Sequence, residues 1–371
     1  MNHPQKNNHH SIQDLFQSFT LHQLTVPTRI VMSPMARAFS PDGVPGPDVA
    51  AYYRRRAENG VGLVITEGAV IDHPAASSEP RLPRLYGEDA LNGWAEVVRQ
   101  VHKAGGAIFP QIVHMGMIRP NGSQPYPEAL SIGPSGLDLE GNKAGEPMTE
   151  EEITAVVQAY AAAALHAKQA GFDGIELHGA HGFLIDQFFW AKTNQRTDRY
   201  GGDLVKRARF AAEVVEAVRA AVGPDYPIGM RLSQWKMGDY SARLAETPEQ
   251  LEELLNVLVD AGVDIFHCSS RRFWEPEFAG SPLSFAGWVK KLTGKTTITV
   301  GSVGMESDAD EQEEQVHPGL QGLVERLNNN EFDLVAVGRA LLGDPAWALK
   351  IRDGRQSELQ AFTPEAAATL Y

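Results

Sequence analysis

Apolar positions along the chain fall into two alternating rhythms. Short, nearly continuous apolar runs occur at Arg29–Met32, Val61–Thr66, Ala107–Ile112, Gly174–His178, Ile228–Leu232, Asp264–Cys268, Thr297–Gly301 and Asp333–Gly338. Runs of this kind predict parallel strands buried on both faces. Between them, apolar residues spaced three and four apart predict helices over Pro47–Asn59, Asp89–Ala104, Thr149–Ala170, Asp203–Val222, Pro248–Ala261, Pro282–Leu292 and Val316–Asn328, with a last one from Gly338 through ALLGDPAWALKIRDG. Three of these helices run into the small-residue turns AENGVG, KQAGFDG and VDAGVD, where glycine suits the end of a helix before the next strand.

Eight strand–helix units in succession predict an α/β fold, a (β/α)8 TIM barrel. A doubly wound sheet would carry GxGxxG between its first strand and helix, and the sequence has none there. No linker divides the chain, so residues 1–371 are expected to form one domain, with 1–10 as a disordered polar arm. The longest interruption, 113–148, follows the third strand and is rich in Gly and Pro. Its place at a strand's C-terminal end predicts a capping insertion over the active face. A second long loop, 179–202, follows the fourth strand, and the acidic run 306–314 reads as a solvated loop.

Charge and composition narrow the partners. Lys+Arg 33 against Asp+Glu 47 gives a formal net charge of −14, which argues against nucleic acid and anionic membranes. The single cysteine, Cys268, excludes an internal disulfide, a cysteine zinc site and a cysteine-ligated iron–sulfur cluster, and no metal is expected. No apolar run reaches the roughly 18 residues of a membrane span. The polar first residues lack the apolar core of a signal peptide, so a cytoplasmic location is expected. The sequence is compatible with a homo-oligomer but does not specify one.

In such a barrel, chemistry sits at the C-terminal ends of the strands. Those ends carry Ser33-Pro34-Met35-Ala36-Arg37, Glu67-Gly68, Gln111 and His114, His178-Gly179-Ala180-His181-Gly182-Phe183, Arg231, His267, Gly301-Ser302-Val303-Gly304 and Gly338-Arg339. The glycine turn lets backbone N–H groups approach an anion. Gly338-Arg339 opens a helix whose N-terminus favours phosphate, and Arg339 adds a charged contact. The same glycines could serve only tight turns. His178 and His181 could both donate to one substrate oxygen and draw electron density from a conjugated alkene. Metal ligation by the pair lacks a third ligand motif; two structural histidines are the plainer alternative. Arg231 is either a fixed charge of the site or half of a core ion pair. Gln111 is either a ligand-facing amide or a satisfied buried one, and Met35 alone reads as packing. Phe273 and Trp274, after the sixth strand, either line the substrate pocket or pack within their loop.

The segments MSPMAR, ITEG, PQIVHMG, ELHGAHGFLIDQFF, NQRTDRYGGD, RLS, VGSVG and VGRALLGDP, in this order and on these strands, resemble the Old Yellow Enzyme family of FMN-dependent ene-reductases, over a span from near Leu15 to Asp353. The resemblance implies non-covalent FMN, reduced by NAD(P)H and reoxidised by a small activated alkene (an enone, enal, maleimide or nitroalkene) in a ping-pong cycle. It implies cofactor contacts from Pro34, Met35, Ala36, Gly68, Gln111, Arg231, Ser302, Val303, Gly304, Gly338 and Arg339, with Arg231 and Gln111 at the pyrimidine end of the flavin. It also implies that His178 and His181 hold the substrate carbonyl.

Two positions depart from the family pattern. Ala36 stands where many relatives have Thr or Cys touching the flavin, so the redox balance is expected to differ. Phe183 stands where the family usually has the tyrosine that protonates the α-carbon after hydride reaches the β-carbon. Phenylalanine has no proton to give. The alternative is therefore an NAD(P)H oxidase, a quinone-type reductase or a poorly active variant. A tRNA-modifying flavin barrel would want a basic face and a catalytic cysteine. An aldolase-type barrel would want a lysine at a strand end, and none of the ends above carries one.

Overall fold

In the computed structural model, which describes residues 11–305 and 318–371, the eight apolar runs pair in parallel and close on themselves as a barrel. A short antiparallel hairpin, β1 (Phe19–Leu21) and β2 (Leu24–Val26), comes first. The barrel strands are β3 (Ile30–Met32), β4 (Leu63–Val70), β5 (Ala107–Val113), β6 (Ile175–His181), β7 (Ile228–Lys236), β8 (Ile265–Ser269), β9 (Thr296–Val300) and β10 (Leu334–Val337), with β10 closing on β3. β4, β6 and β7 run several residues past the expected ends. Register shifts between Ile65 and Gly68 and between Gly179 and His181 mark where they bulge, and bulges re-aim side chains beside sites.

The helices are α1 (Pro47–Glu58), α2 (Glu88–Lys103), α3 (Glu150–Gln169), α4 (Leu184–Phe189), α5 (Leu204–Arg207), α6 (Arg209–Val222), α7 (Pro248–Ala261), α8 (Phe285–Thr293), α9 (Gly319–Asn328), α10 (Arg339–Gly343), α11 (Trp347–Arg352) and α12 (Pro364–Ala367). Four expectations are corrected. The helix expected over 203–222 divides at Ala208. The one expected from Pro282 starts at Phe285, because the Ser284 hydroxyl accepts the Gly287 N–H and caps it there. The last helix divides around Asp344-Pro345, since proline cannot continue the ladder. The loop 179–202 contains α4. The arm 1–10, the acidic run 306–314 and the first residues of the helix expected from Val316 lie outside the described residues.

The barrel interior changes character along its axis. At the N-terminal end of the strands it is apolar, with Val31, Leu63, Ile65, Phe109, Ile265, Ile298, Leu334 and Ala336, and the hairpin residues Phe19, Leu21 and Leu24 pack against this cluster. Gly174 makes room for it: a Cβ there would lie 2.5 Å from Phe109 Cζ. Toward the C-terminal end the interior becomes polar, with Gln111, Glu176, Arg231 and His267 all buried. Alternate residues of the same strands, such as Leu177, Met230 and Cys268, face outward and join the core under the helices.

Residues between β5 and α3 form the expected cap. Arg119 is 1% exposed and donates to the carbonyls of Ser77, Ser123, Tyr126 and Ala129, tying the cap to the loop after β4. Arg196 donates to Pro134 and Met148 carbonyls and ties it to the loop after β6. No helix among the described residues is long and apolar enough to cross a membrane.

Candidate active site

His178 lies on β6 in register with Arg231 of β7, and Gly179 after it still pairs with Leu232. The strand then bulges, and His181 takes φ +64, a left-handed conformation uncommon for a non-glycine residue. Neighbours hold it there. The His181 N–H donates to Ser233 Oγ at 2.9 Å, and the Gly182 N–H donates to Asp186 Oδ2 at 2.7 Å. Asp186 is paired in turn with Lys236 at 2.7 Å, with both side chains 0% exposed. Lys236 Nζ also donates to the Ser233 carbonyl at 3.2 Å. The strained turn is thus pinned by a buried ion pair.

The two imidazoles stand nearly perpendicular, 5.2 Å apart between ring centres. An aromatic ring backs each: Phe183 lies 4.3 Å from His178, and Trp235 lies 4.4 Å from His181. His181 Nε2 is 2.8 Å from Ser269 Oγ, while His178 Nδ1 is buried without a hydrogen-bond partner. Burial, then the nearby Arg231 charge, pushes both imidazoles well below the usual histidine range. Both are therefore neutral at pH 7, and each carries one N–H.

Beneath them, Arg231 is buried and reaches Ser33 Oγ at 3.5 Å and Ser269 Oγ at 3.4 Å, and its Nε has no partner. Burial pushes it down to about 10, which leaves it charged at neutral pH. Gln111 Nε2 donates to Glu176 Oε1 at 2.7 Å, and His267 Nδ1 is 2.7 Å from Glu176 Oε2. Gly68 sits at the same place: a Cβ on it would lie 3.9 Å from Gln111 Oε1.

The segment after β3 brings Pro34, Met35 and Ala36 to the rim. Pro34 is buried, Met35 is half-buried and Ala36 is exposed. Glu67 fixes this segment, because its Oε2 accepts the N–H groups of Arg37 at 2.7 Å and Ala38 at 2.8 Å. Burial pushes that carboxyl up to about 6. Met35 also closes on the end of β10: its Sδ lies 3.6 Å from where a Cβ on Gly338 would sit.

After β9, Ser302 has φ +51 and Gly304 φ +74, and Ser302 Oγ donates to the Arg271 carbonyl at 3.1 Å. Glycine is required at 304, because a Cβ would lie 2.8 Å from Trp347 Nε1. Val303 is buried behind this turn. Gly338 precedes α10, whose first residue, Arg339, is exposed. α10 has only five residues, so its dipole is small.

The structure brings the expected residues to one end of the barrel, with Phe273 and Trp274 set behind the glycine turn. Phe273 and Trp274 are 1% and 9% exposed. Phe273 forms part of the wall of a 760 Å³ cavity with Val303, Gly304 and Trp347, behind the glycine turn. The aromatic wall beside His181 is instead Trp235, followed outward by Tyr240 at 5.5 Å and by Arg271 over the Tyr240 ring at 4.0 Å.

FMN fits this donor set. The orphaned Arg231 Nε and His178 Nδ1 are buried polar atoms that want a partner, and Gly68 and Gly338 leave flat approaches. The turn at 301–304 offers backbone N–H groups to a phosphate.

The chain matches the model of the NADH:flavin oxidoreductase / NADH oxidase family over residues 14–358. It is 34% identical over 356 residues to an NADH oxidase of Thermoanaerobacter brockii, covering 94% of this chain and 52% of that protein. It is 39% identical over 231 residues to 12-oxophytodienoate reductase 7 of Oryza sativa subsp. japonica, covering 59% of this chain and 58% of that protein. The chain thus spans little more than half the length of these relatives. Among solved structures, morphinone reductase in complex with tetrahydroNAD superposes with a TM-score of 0.80 at 30% identity, over 95% of this chain and 93% of that one.

Proposed function

Since the chain belongs to the NADH:flavin oxidoreductase / NADH oxidase family, the Old Yellow Enzyme family of FMN-dependent NAD(P)H oxidoreductases, we propose that it reduces the C=C bond of small activated alkenes with NAD(P)H, the barrel and cap acting as one FMN-binding domain. The observation that carries this reading is the pair of neutral imidazoles, 5.2 Å apart and backed by Phe183 and Trp235, set beside a buried arginine.

FMN, when bound, supplies the hydride carrier between nicotinamide and alkene. The residues that would hold it are Pro34, Met35, Ala36 and Gly68 through their backbones, Gln111 and Arg231 at a ring edge, and Ser302, Val303, Gly304, Gly338 and Arg339 at the phosphate. His178 and His181 each donate an N–H to the carbonyl or nitro oxygen of the alkene. That draws electron density from the β-carbon, and one preorganised donor is worth on the order of 10²–10³ in rate. Both stay neutral through the physiological range, so neither gives up its proton in doing so. Phe183 has no proton to give, so the proton for the α-carbon comes from water or from another group.

Phe183 also favours a second reading, an NAD(P)H oxidase or quinone-type reductase, in which alkene reduction is slow. One anaerobic absorbance experiment separates the two. The purified protein should show a flavin band that bleaches with one equivalent of NADPH and returns with 2-cyclohexenone. A band that bleaches and stays bleached until oxygen or a quinone is added supports the second reading. A protein that holds no flavin overturns both.

A further inference from the structure

Below the two histidines, the barrel interior holds a carboxylate that the proposed function does not use. Glu176 lies two residues before His178 on β6, so both side chains point inward. It is 1% exposed. Its Oε1 accepts from Gln111 Nε2 at 2.7 Å, and its Oε2 accepts from His267 Nδ1 at 2.7 Å. His267 is 0% exposed, and its Nε2 has no partner. Burial pushes this imidazole below its usual range, so it gives the carboxylate a hydrogen bond but no charge. Arg231 has only long contacts to Ser33 and Ser269, and Glu176, in register with Gly229 two residues before it on the adjacent strand, is a buried carboxylate facing the same interior. A buried guanidinium so loosely bonded needs a countercharge.

We propose that Glu176 is a positioning residue of the FMN site: it fixes which end of the Gln111 amide faces the ring, and it offsets the Arg231 charge so that the preference for reduced, anionic flavin is held down. The first part follows from counting donors. An amide that gives its Nε2 to a carboxylate presents Oε1, an acceptor, to whatever lies beyond, and a ring N–H requires an acceptor. The second part follows from Coulomb's law: a positive charge shared with a buried carboxylate stabilises an anionic ring less than an unshared one.

The inference rests on the FMN reading, and its test keeps the two apart. The midpoint potential of the FMN holoenzyme is measured at pH 7 by anaerobic dithionite titration against a reference dye, and FMN release is followed by fluorescence on dilution. Glu176→Gln should shift the preference toward reduced over oxidised flavin at least tenfold, an upward shift of about 30 mV for a two-electron couple. Glu176→Asp keeps the charge but is too short to hold Gln111. It should leave the preference within about twofold of wild type while FMN leaves about tenfold more readily. It also carries the test if Glu176→Gln folds poorly. A flavin-bound Glu176→Gln with unchanged potential overturns the proposal, as does a Glu176→Asp shift as large as that expected of Glu176→Gln. A purely structural role would loosen oxidised and reduced flavin alike. Wild-type protein that binds no FMN would sink the parent reading and this one with it.

Discussion

The Phe183 ring lies 4.3 Å from the His178 ring and is tilted 33° to it, so one face of the imidazole is covered by benzene rather than by a phenol or by water. This contact fixes the ring without adding a proton source. Phe183→Tyr keeps the contact and adds a hydroxyl to the same edge. Its turnover on 2-cyclohexenone should rise on the order of 10²-fold, the low end of general acid catalysis. Reduction of the flavin by NADPH, followed by stopped-flow, should not change. If turnover stays level, protonation is not what limits the wild type.

Removing either imidazole should cut the oxidative half-reaction alone. His178→Ala and His181→Ala should each lower kcat/KM for the enone on the order of 10²-fold. The double variant should lose much less than the product of the two, because both groups act on one oxygen. A fully multiplicative loss would mean that the two rings act on different atoms.

The Asp186–Lys236 pair, at 2.7 Å and wholly buried, holds the turn that carries His181. Asp186→Asn leaves an ammonium group buried without its countercharge and should cost about 3–5 kcal/mol in denaturant unfolding. Asp186→Leu combined with Lys236→Met removes both charges and should recover much of that loss. A single substitution that costs under about 1 kcal/mol would show that the pair is not needed.

Acid should weaken the fold. Burial holds His114, His178, His181 and His267 below their ordinary 6.5. In the unfolded chain each takes up a proton near 6.5, so their contribution is whole above that pH and drains away as the pH falls toward the folded values. Glu67, held up at about 6, acts the other way: its contribution is present below 4.5 and lost as pH rises through about 6. The window from pH 7.5 to 6 is therefore governed by the histidines. The midpoint of urea unfolding should fall steadily across it, and a flat profile would mean that these rings titrate alike in the folded and the unfolded chain.

The barrel was legible because its strands are buried on both faces and read as nearly continuous apolar runs, most cleanly at Ile30–Met32 and Leu334–Val337. The β1–β2 hairpin was not. Its strands have three residues each and expose a face, too short for an alternation to register. Helix α4 escaped for a similar reason: all six of its residues are buried, so it shows no polar face. At the site, His178 and His181 stood out as a motif. Glu176 belongs to the same run, and its carboxylate in an otherwise apolar strand was the signal that could have marked it. Trp235 and Lys236 lie beyond the expected end of their strand, where the hydrogen-bonded ladder outlasts the apolar pattern. Phe273 and Trp274 follow a strand end, and the sequence left them either at the pocket or packed within their loop. Their loop turns back under the 301–304 turn, a tertiary choice to which aromatic content is blind.

The closing of β10 on β3 has a consequence for how the protein is made. β3 ends at Met32 and its second neighbour begins at Leu334, so about 300 residues must leave the ribosome before the first barrel strand loses its open edge. At the 5–20 residues per second of synthesis, that edge waits for roughly 15 to 60 s. Its neighbour on the other side, β4, emerges early and can cover only one flank. Arg29 and Arg37, on either side of β3, wait equally long, since their acceptors are the carbonyls of Asp333 and of Ala367 and Thr369. The segment 34–36 at the barrel rim, held early by Glu67 of β4, thus gains its last anchors only when β10 and the residues after it arrive. A chain stalled before β10 would leave an apolar strand edge exposed to its neighbours on the polysome.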